Sequence, residues 1–86
     1  MKISVELSMY PLNEDYKPSI TAFIKRLRTY SEVRIETSGM SSQIYGEYDL
    51  VMAMIQTEFR TVFEGNDKVS MVMKMVNGDL SGPIKF

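Results

Sequence analysis

Ser8 and Tyr10 close one alternating segment of this chain, and Met40, Ser41, Ser42 and Gln43 open another, with Glu6 and Glu47 on the same two segments. Hydroxyls, an amide, a thioether, a phenol ring and carboxylates are groups that hold a small polar heterocycle: they hydrogen-bond its edge and cover its face. The same set reads equally as a polar, solvated sheet face with one edge turned toward a partner. Group-transfer chemistry is poorly served. Cys 0 and His 0 remove the thiolate nucleophile, the sulfur metal site, the usual general base and the usual zinc ligand. A serine nucleophile needs an activating base, and neither a G-x-S-x-G elbow nor an S-x-x-K pair occurs. Glu6 and Glu47 can approach on neighbouring strands, but two exposed carboxylates are ordinary solvated surface. The sequence therefore points to binding without catalysis.

The elements that position these residues follow from hydrophobic period. Lys2 to Tyr10 alternates strictly, with Ile3, Val5, Leu7 and Met9 on one face, which predicts a half-buried strand that Pro11 and Asn13 end. Ile20, Phe23, Ile24 and Leu27 fall at helical spacing, and Pro18 suits a first turn, so a helix is expected from Pro18 to Tyr30. Lys25, Arg26 and Arg28 are expected on its solvent side. Val33, Ile35 and Thr37 alternate again, Gly39 interrupts, and Ser41 to Glu47 reads as the next strand with Ile44 inward, making a hairpin. Asp49 is expected to cap a second helix whose stripe is Val51, Met54, Ile55, Phe59 and Val62, with Glu58 its one misfit. Lys68 to Val76 is a last strand, its apolar face made of Val69, Met71, Met73 and Met75.

The resulting order is β-α-β-β-α-β. Right-handed crossovers then predict a ferredoxin-like α+β sandwich, an antiparallel sheet of order 4-1-3-2 with both helices on one face. A chain of 86 residues leaves room for one domain spanning 1–86, with its core in 2–77 and an irregular tail over 78–86. No apolar run approaches the ~20 residues of a membrane span, and ten basic against eleven acidic residues give no field for nucleic acid or anionic lipid. A small cytoplasmic protein is expected, with neither nucleic-acid nor membrane partners.

The uncovered sheet face is expected to carry Ser4, Glu6, Ser8, Gln43, Tyr45, Ser70, Val72, Lys74 and Val76. Stacking of RNA bases needs aromatics on the first and third strands, and only Tyr45 qualifies. A copper chaperone of this topology needs two cysteines, and an acylphosphatase an arginine after the first strand; both are missing. Met9, Met54, Met71 and Met73 are assigned to the core as gap fillers, whereas Met40 lies in a loop. Leu50, Met52 and Phe63 fall off the helical stripe and need cover from the tail or another subunit.

Tyr10-Pro11-Leu12, followed by Gly39-Met40-Ser41-Ser42, Ile44 and Gly46-Glu47, resembles the thiamine/hydroxymethylpyrimidine-binding YkoF-like family of small ferredoxin-like domains. The resemblance spans residues 2–77, and the Gly-Met-Ser loop is its most specific element. It implies cytoplasmic, non-catalytic binding of thiamine or its hydroxymethylpyrimidine precursor, in support of vitamin salvage or transport, with that ligand in place of any cofactor. It also implies association through the domains: since some members fuse two copies and this chain has one, a second copy must come from another subunit. The open face with Leu50, Met52 and Phe63, and the symmetry of most assemblies, make a homodimer or homotetramer the expectation. Ser8, Tyr10, Met40, Ser41 and Ser42 are the implied ligand contacts, with Glu6, Gln43 and Glu47 behind them. The alternative is a structural or regulatory oligomeric module of the same fold, with another small ligand or none, as in ACT-like domains. Those domains usually carry glycine after the first strand, where this chain has Pro11-Leu12-Asn13-Glu14-Asp15.

Overall fold

β1 (Lys2–Pro11) is central, because its inward residues Ile3, Val5 and Leu7 are apolar and buried while Glu6 and Ser8 on the other face stay half-buried. The computed structural model describes residues 1–83, so the part of the expected tail over 84–86 lies outside the described residues. After β1 come α1 (Lys17–Leu27), β2 (Arg34–Thr37), β3 (Ser42–Glu47), α2 (Tyr48–Phe63) and β4 (Val69–Val76). The four strands form one sheet of order β2-β3-β1-β4, with every neighbouring pair antiparallel. This is the expected order read from its other edge, and the fold is a ferredoxin-like α+β sandwich. Leu27, Ile44, Val51 and Met54, with Phe23 and Ile55, fill the layer between helices and sheet. Burial of each contributes about 1.5–3 kcal/mol.

Several local expectations need correction. β1 runs one residue past Tyr10 and ends at Pro11, which still pairs with Val69. The β3 partner ends at Leu7–Ser42, so only one side of β1 carries a ladder there and proline is tolerated. α1 stops at Leu27 rather than Tyr30, because Thr29 and Tyr30 donate to Arg26 and Leu27 in tight i→i+3 turns. Asp49 is not the cap of α2: Glu47 is, without a side-chain cap bond, and Asp49 sits in the first turn, where its charge favours the helix dipole.

Arg26 turns inward rather than to solvent. Its Nε donates to Glu58 Oε1 at 2.7 Å, and the Tyr30 hydroxyl donates to Glu58 Oε2 at 2.7 Å. The misfit on the α2 stripe thereby finds both partners on α1 and the turn after it. Met73 is also corrected: it is 40% exposed, because the helices rest on β1 and β3 and leave the edge strand β4 partly uncovered. Gly46 marks a close approach, since a Cβ there would lie 3.0 Å from Val33 and 3.2 Å from Val51.

The tail begins as an ordered strap. Ser4 Oγ donates to the Gly78 carbonyl at 2.7 Å and accepts from the Leu80 N–H at 2.8 Å, which buries Ser4 on the otherwise open face. The strap lies over the sheet face opposite the helices, and Leu50 and Phe63 of α2 remain exposed.

Candidate functional site

The strand period turns Ser42, Ile44 and Gly46 of β3 toward the helices, because Ser42 pairs with Leu7, Ile44 with Val5 and Gly46 with Ile3. Ser42 is small for that position. Beyond it the hairpin turns through Ser38 to Ser41, and β1 runs on past β3 to Tyr10 and Pro11. Between these segments and the first turns of α1 lies a cavity of about 370 Å³. Leu7, Met9, Tyr10 and Pro11 line it from β1; Tyr16, Ile20, Phe23 and Ile24 from α1 and its cap; and Thr37 with residues 38–42 from the hairpin.

Most of this wall is apolar. Hydroxyls of Thr37 and Ser42 lie 3.3 Å apart on it, and Met40 stands 88% exposed at the loop tip. Tyr10 and Tyr16 are both exposed at its margin, so their rings are free to cover an occupant. The loop itself is tied by Ser38, whose Oγ accepts from the Met40 N–H at 3.2 Å and whose N–H donates to the Ser41 carbonyl at 3.0 Å. Among the described residues no carboxylate, lysine or arginine lines the cavity.

A polar cluster sits behind the hairpin on the open face. Glu6 Oε2 accepts from Ser41 Oγ at 2.9 Å and from Gln43 Nε2 at 3.2 Å, while Lys74 Nζ lies 3.3 Å from Glu6 Oε1. Gln43 Nε2 also donates to Ser41 Oγ at 2.8 Å. The Ser41 hydrogen bond, then those of Lys74 and Gln43, hold the Glu6 carboxyl below the usual carboxylate range. Beside this cluster is a shallower depression of about 170 Å³, bordered by Ser4, Tyr45, Val76 and Leu80.

The eight residues expected to form one patch are therefore divided. Tyr10, Met40, Ser41 and Ser42 line the cavity. Glu6 and Gln43 lie on the open face and reach the cavity only through Ser41. Ser8 is half-buried on the open face opposite Val72, so it does not share a face with Ser42. Glu47 lies at the far end of β3, roughly 17 Å of strand from Ser42, where it binds the Met1 amino group at 2.9 Å and approaches Lys2. The amino group holds its carboxyl below the usual range.

Thr37, Tyr16, Ile20 and Ile24 were not expected at a site. Ile20 and Ile24 read as core stripe, and they are half-buried because the cavity replaces part of their packing. The signal for Ser42 and Thr37 was parity with Ile44 and Ile35, which places both hydroxyls on the helix side.

A protein-family model described as thiamine-binding protein matches residues 5–78. Protein SP2199 from Streptococcus pneumoniae is similar in structure, with a TM-score of 0.81 and 24% identity over 93% of this chain and 90% of its own. A domain of unknown function, DUF77, from Bacillus cereus gives a TM-score of 0.75 at 16% identity, covering 98% of this chain and 83% of its own. A candidate thiamine biosynthesis/salvage protein from Thermotoga maritima gives 0.71 at 16% identity, covering 94% and 90%. At these identities the solved structures establish the fold. No curated protein sequence matches the chain.

Proposed function

The chain belongs to the thiamine-binding protein family, and from that we propose that it binds free thiamine or hydroxymethylpyrimidine in the cavity beside the Gly39–Ser42 loop, without catalysing a reaction. The observation that carries this reading is the cavity itself. At about 370 Å³ it stands at the small end of ligand pockets, mostly apolar with a few convergent hydroxyls. An aminopyrimidine has flat apolar faces for Ile20, Ile24 and Met40, and a polar edge for serine and threonine. A cationic thiazolium would sit against the rings of Tyr10 and Tyr16. With no lysine or arginine on the wall among the described residues, thiamine diphosphate is expected to bind more weakly than the free vitamin.

The proposal includes a cytoplasmic role in vitamin salvage or transport. It includes self-association as well, as a homodimer or dimer of dimers. Val72, Val76, Leu50 and Phe63 are exposed apolar residues that a second copy would cover. Among the described residues no helix is long and apolar enough to cross a membrane.

A thermal-shift panel tests the reading with thiamine, its diphosphate, hydroxymethylpyrimidine, single amino acids and short RNA. A ligand at a hundredfold its Kd adds about 2.7 kcal/mol to the native state. Each kcal/mol moves the midpoint of so small a domain by roughly 4–8 °C. The combined Met40→Ala and Ser41→Ala variant should keep its fold and lose the shift. Absence of a shift with either vitamer at millimolar concentration would reject the proposal. A shift given only by amino acids would favour the regulatory module.

A further inference from the structure

Ser42 occupies a core position of β3 and is only 6% exposed, yet it is polar. Its one side-chain hydrogen bond among the described residues is to Thr37 on β2, Oγ to Oγ1, at 3.3 Å. Hydroxyl pairs normally settle near 2.7–2.8 Å, so this contact is long and easily exchanged. Each hydroxyl has one donor and two lone pairs. One mutual bond uses a donor and a lone pair, leaving one O–H and three lone pairs for whatever enters the cavity that both residues line. Leu7, Phe23 and Ile24 on the same wall are apolar, and the neighbouring hydroxyls of Ser38 and Ser41 are engaged with the loop backbone and with Glu6.

We infer that the Thr37–Ser42 hydroxyl pair is the specificity element of this cavity, selecting flat heteroaromatic rings by an edge where a hydrogen-bond donor and acceptor stand side by side. The inference rests on the cavity being the pyrimidine site proposed above. Because both hydroxyls rotate, the pair accepts donor and acceptor in either order. An amine beside a ring nitrogen and an N–H beside a carbonyl both satisfy it. A ring of the same shape with hydrogen in place of the amine offers the acceptor alone, so the pair makes one hydrogen bond to it where the aminated ring makes two.

Isothermal titration with three ligands tests this: hydroxymethylpyrimidine, its counterpart with an oxo group in place of the amine, and its counterpart with hydrogen there. The unsubstituted protein should bind the first two within about threefold of each other and the third roughly tenfold more weakly, as loss of one buried hydrogen bond requires. Ser42→Ala and Thr37→Val should each bring the three affinities together, while Thr37→Ser, which keeps the hydroxyl, should preserve the ranking. Thr37 is exposed and valine matches its shape, so that variant reports even where Ser42→Ala is unstable. If the ranking persists unchanged in Thr37→Val and Ser42→Ala, the pair does not read the edge, and the inference fails while the binding function stands. If the unsubstituted protein binds none of the three, the inference fails, and the thiamine arm of the thermal-shift panel decides the binding function.

Discussion

The Ser41 hydroxyl lies 2.9 Å from a Glu6 carboxylate oxygen, and this bond ties the hairpin wall of the cavity to the opposite face of the sheet. Gln43 and Lys74 complete the tie from either side of Glu6. Among the described residues the hairpin tip otherwise has its own turn bonds, through Ser38. Glu6 thus holds the loop from the open face and is not among the residues that line the cavity.

The same bond predicts a titration. Ser41, Lys74 and Gln43 depress the Glu6 pKa, so the stability it contributes is present above the ordinary carboxylate pKa and is lost as pH falls through the lower folded value. Ser41→Ala should raise the Glu6 midpoint toward the ordinary range. Carboxyl-carbon NMR measures it, and an unchanged midpoint would mean that the bond does not form in solution.

Glu58 should behave as the clamp between the helices. Its side chain is 9% exposed and that of Arg26 35%, so the pair is only partly screened. Glu58→Ala leaves Arg26 without its carboxylate and should cost about 2 kcal/mol, below the cost for a fully buried pair. Tyr30→Phe, which removes one hydrogen bond, should cost about 1 kcal/mol. The hydrogen bond to Glu58, then burial, raises the Tyr30 pKa, so its contribution persists below the ordinary phenol range and is lost as pH rises through the folded value. Ultraviolet titration should find Tyr30 ionising late, and Glu58→Ala should advance it.

Gly46→Ala should destabilise the fold by roughly 1–2 kcal/mol, since the added methyl meets Val33 and Val51 in a packed layer. Chemical denaturation reads the change. A neutral result would show that the two valines give way easily.

Sedimentation at micromolar concentration should show a dimer or tetramer. Leu50→Lys with Phe63→Lys should shift the distribution toward monomer if the α2 surface is the contact, whereas Val72→Lys should do so if the face of β4 is. A monomer in the unsubstituted protein would remove the self-association proposal and leave the cavity untouched.

Much of this molecule was legible along the chain because side-chain alternation and the helical stripe are local consequences of backbone geometry. Ile3, Val5 and Leu7 named the buried face of β1; Val51, Met54 and Ile55 named that of α2. Short connections and crossover handedness then allowed one strand order. Four cavity residues, Tyr10, Met40, Ser41 and Ser42, were also legible from their types and their place beside the hairpin.

Tertiary structure decided what no local period contains. Glu58 is a misfit on its own helix until Arg26 and Tyr30, 32 and 28 residues away, fold against it. Ser4 belongs to an open face until Gly78 and Leu80 close over it. The cavity is made by three segments distant in sequence: the end of β1, the start of α1 and the β2–β3 hairpin. Period assigns a residue to a face, because consecutive side chains obey their own backbone. Whether that face meets a helix, a strap or an empty volume depends on packing between distant segments, and packing alone opened the cavity beside Ser42 and closed the strap over Ser4.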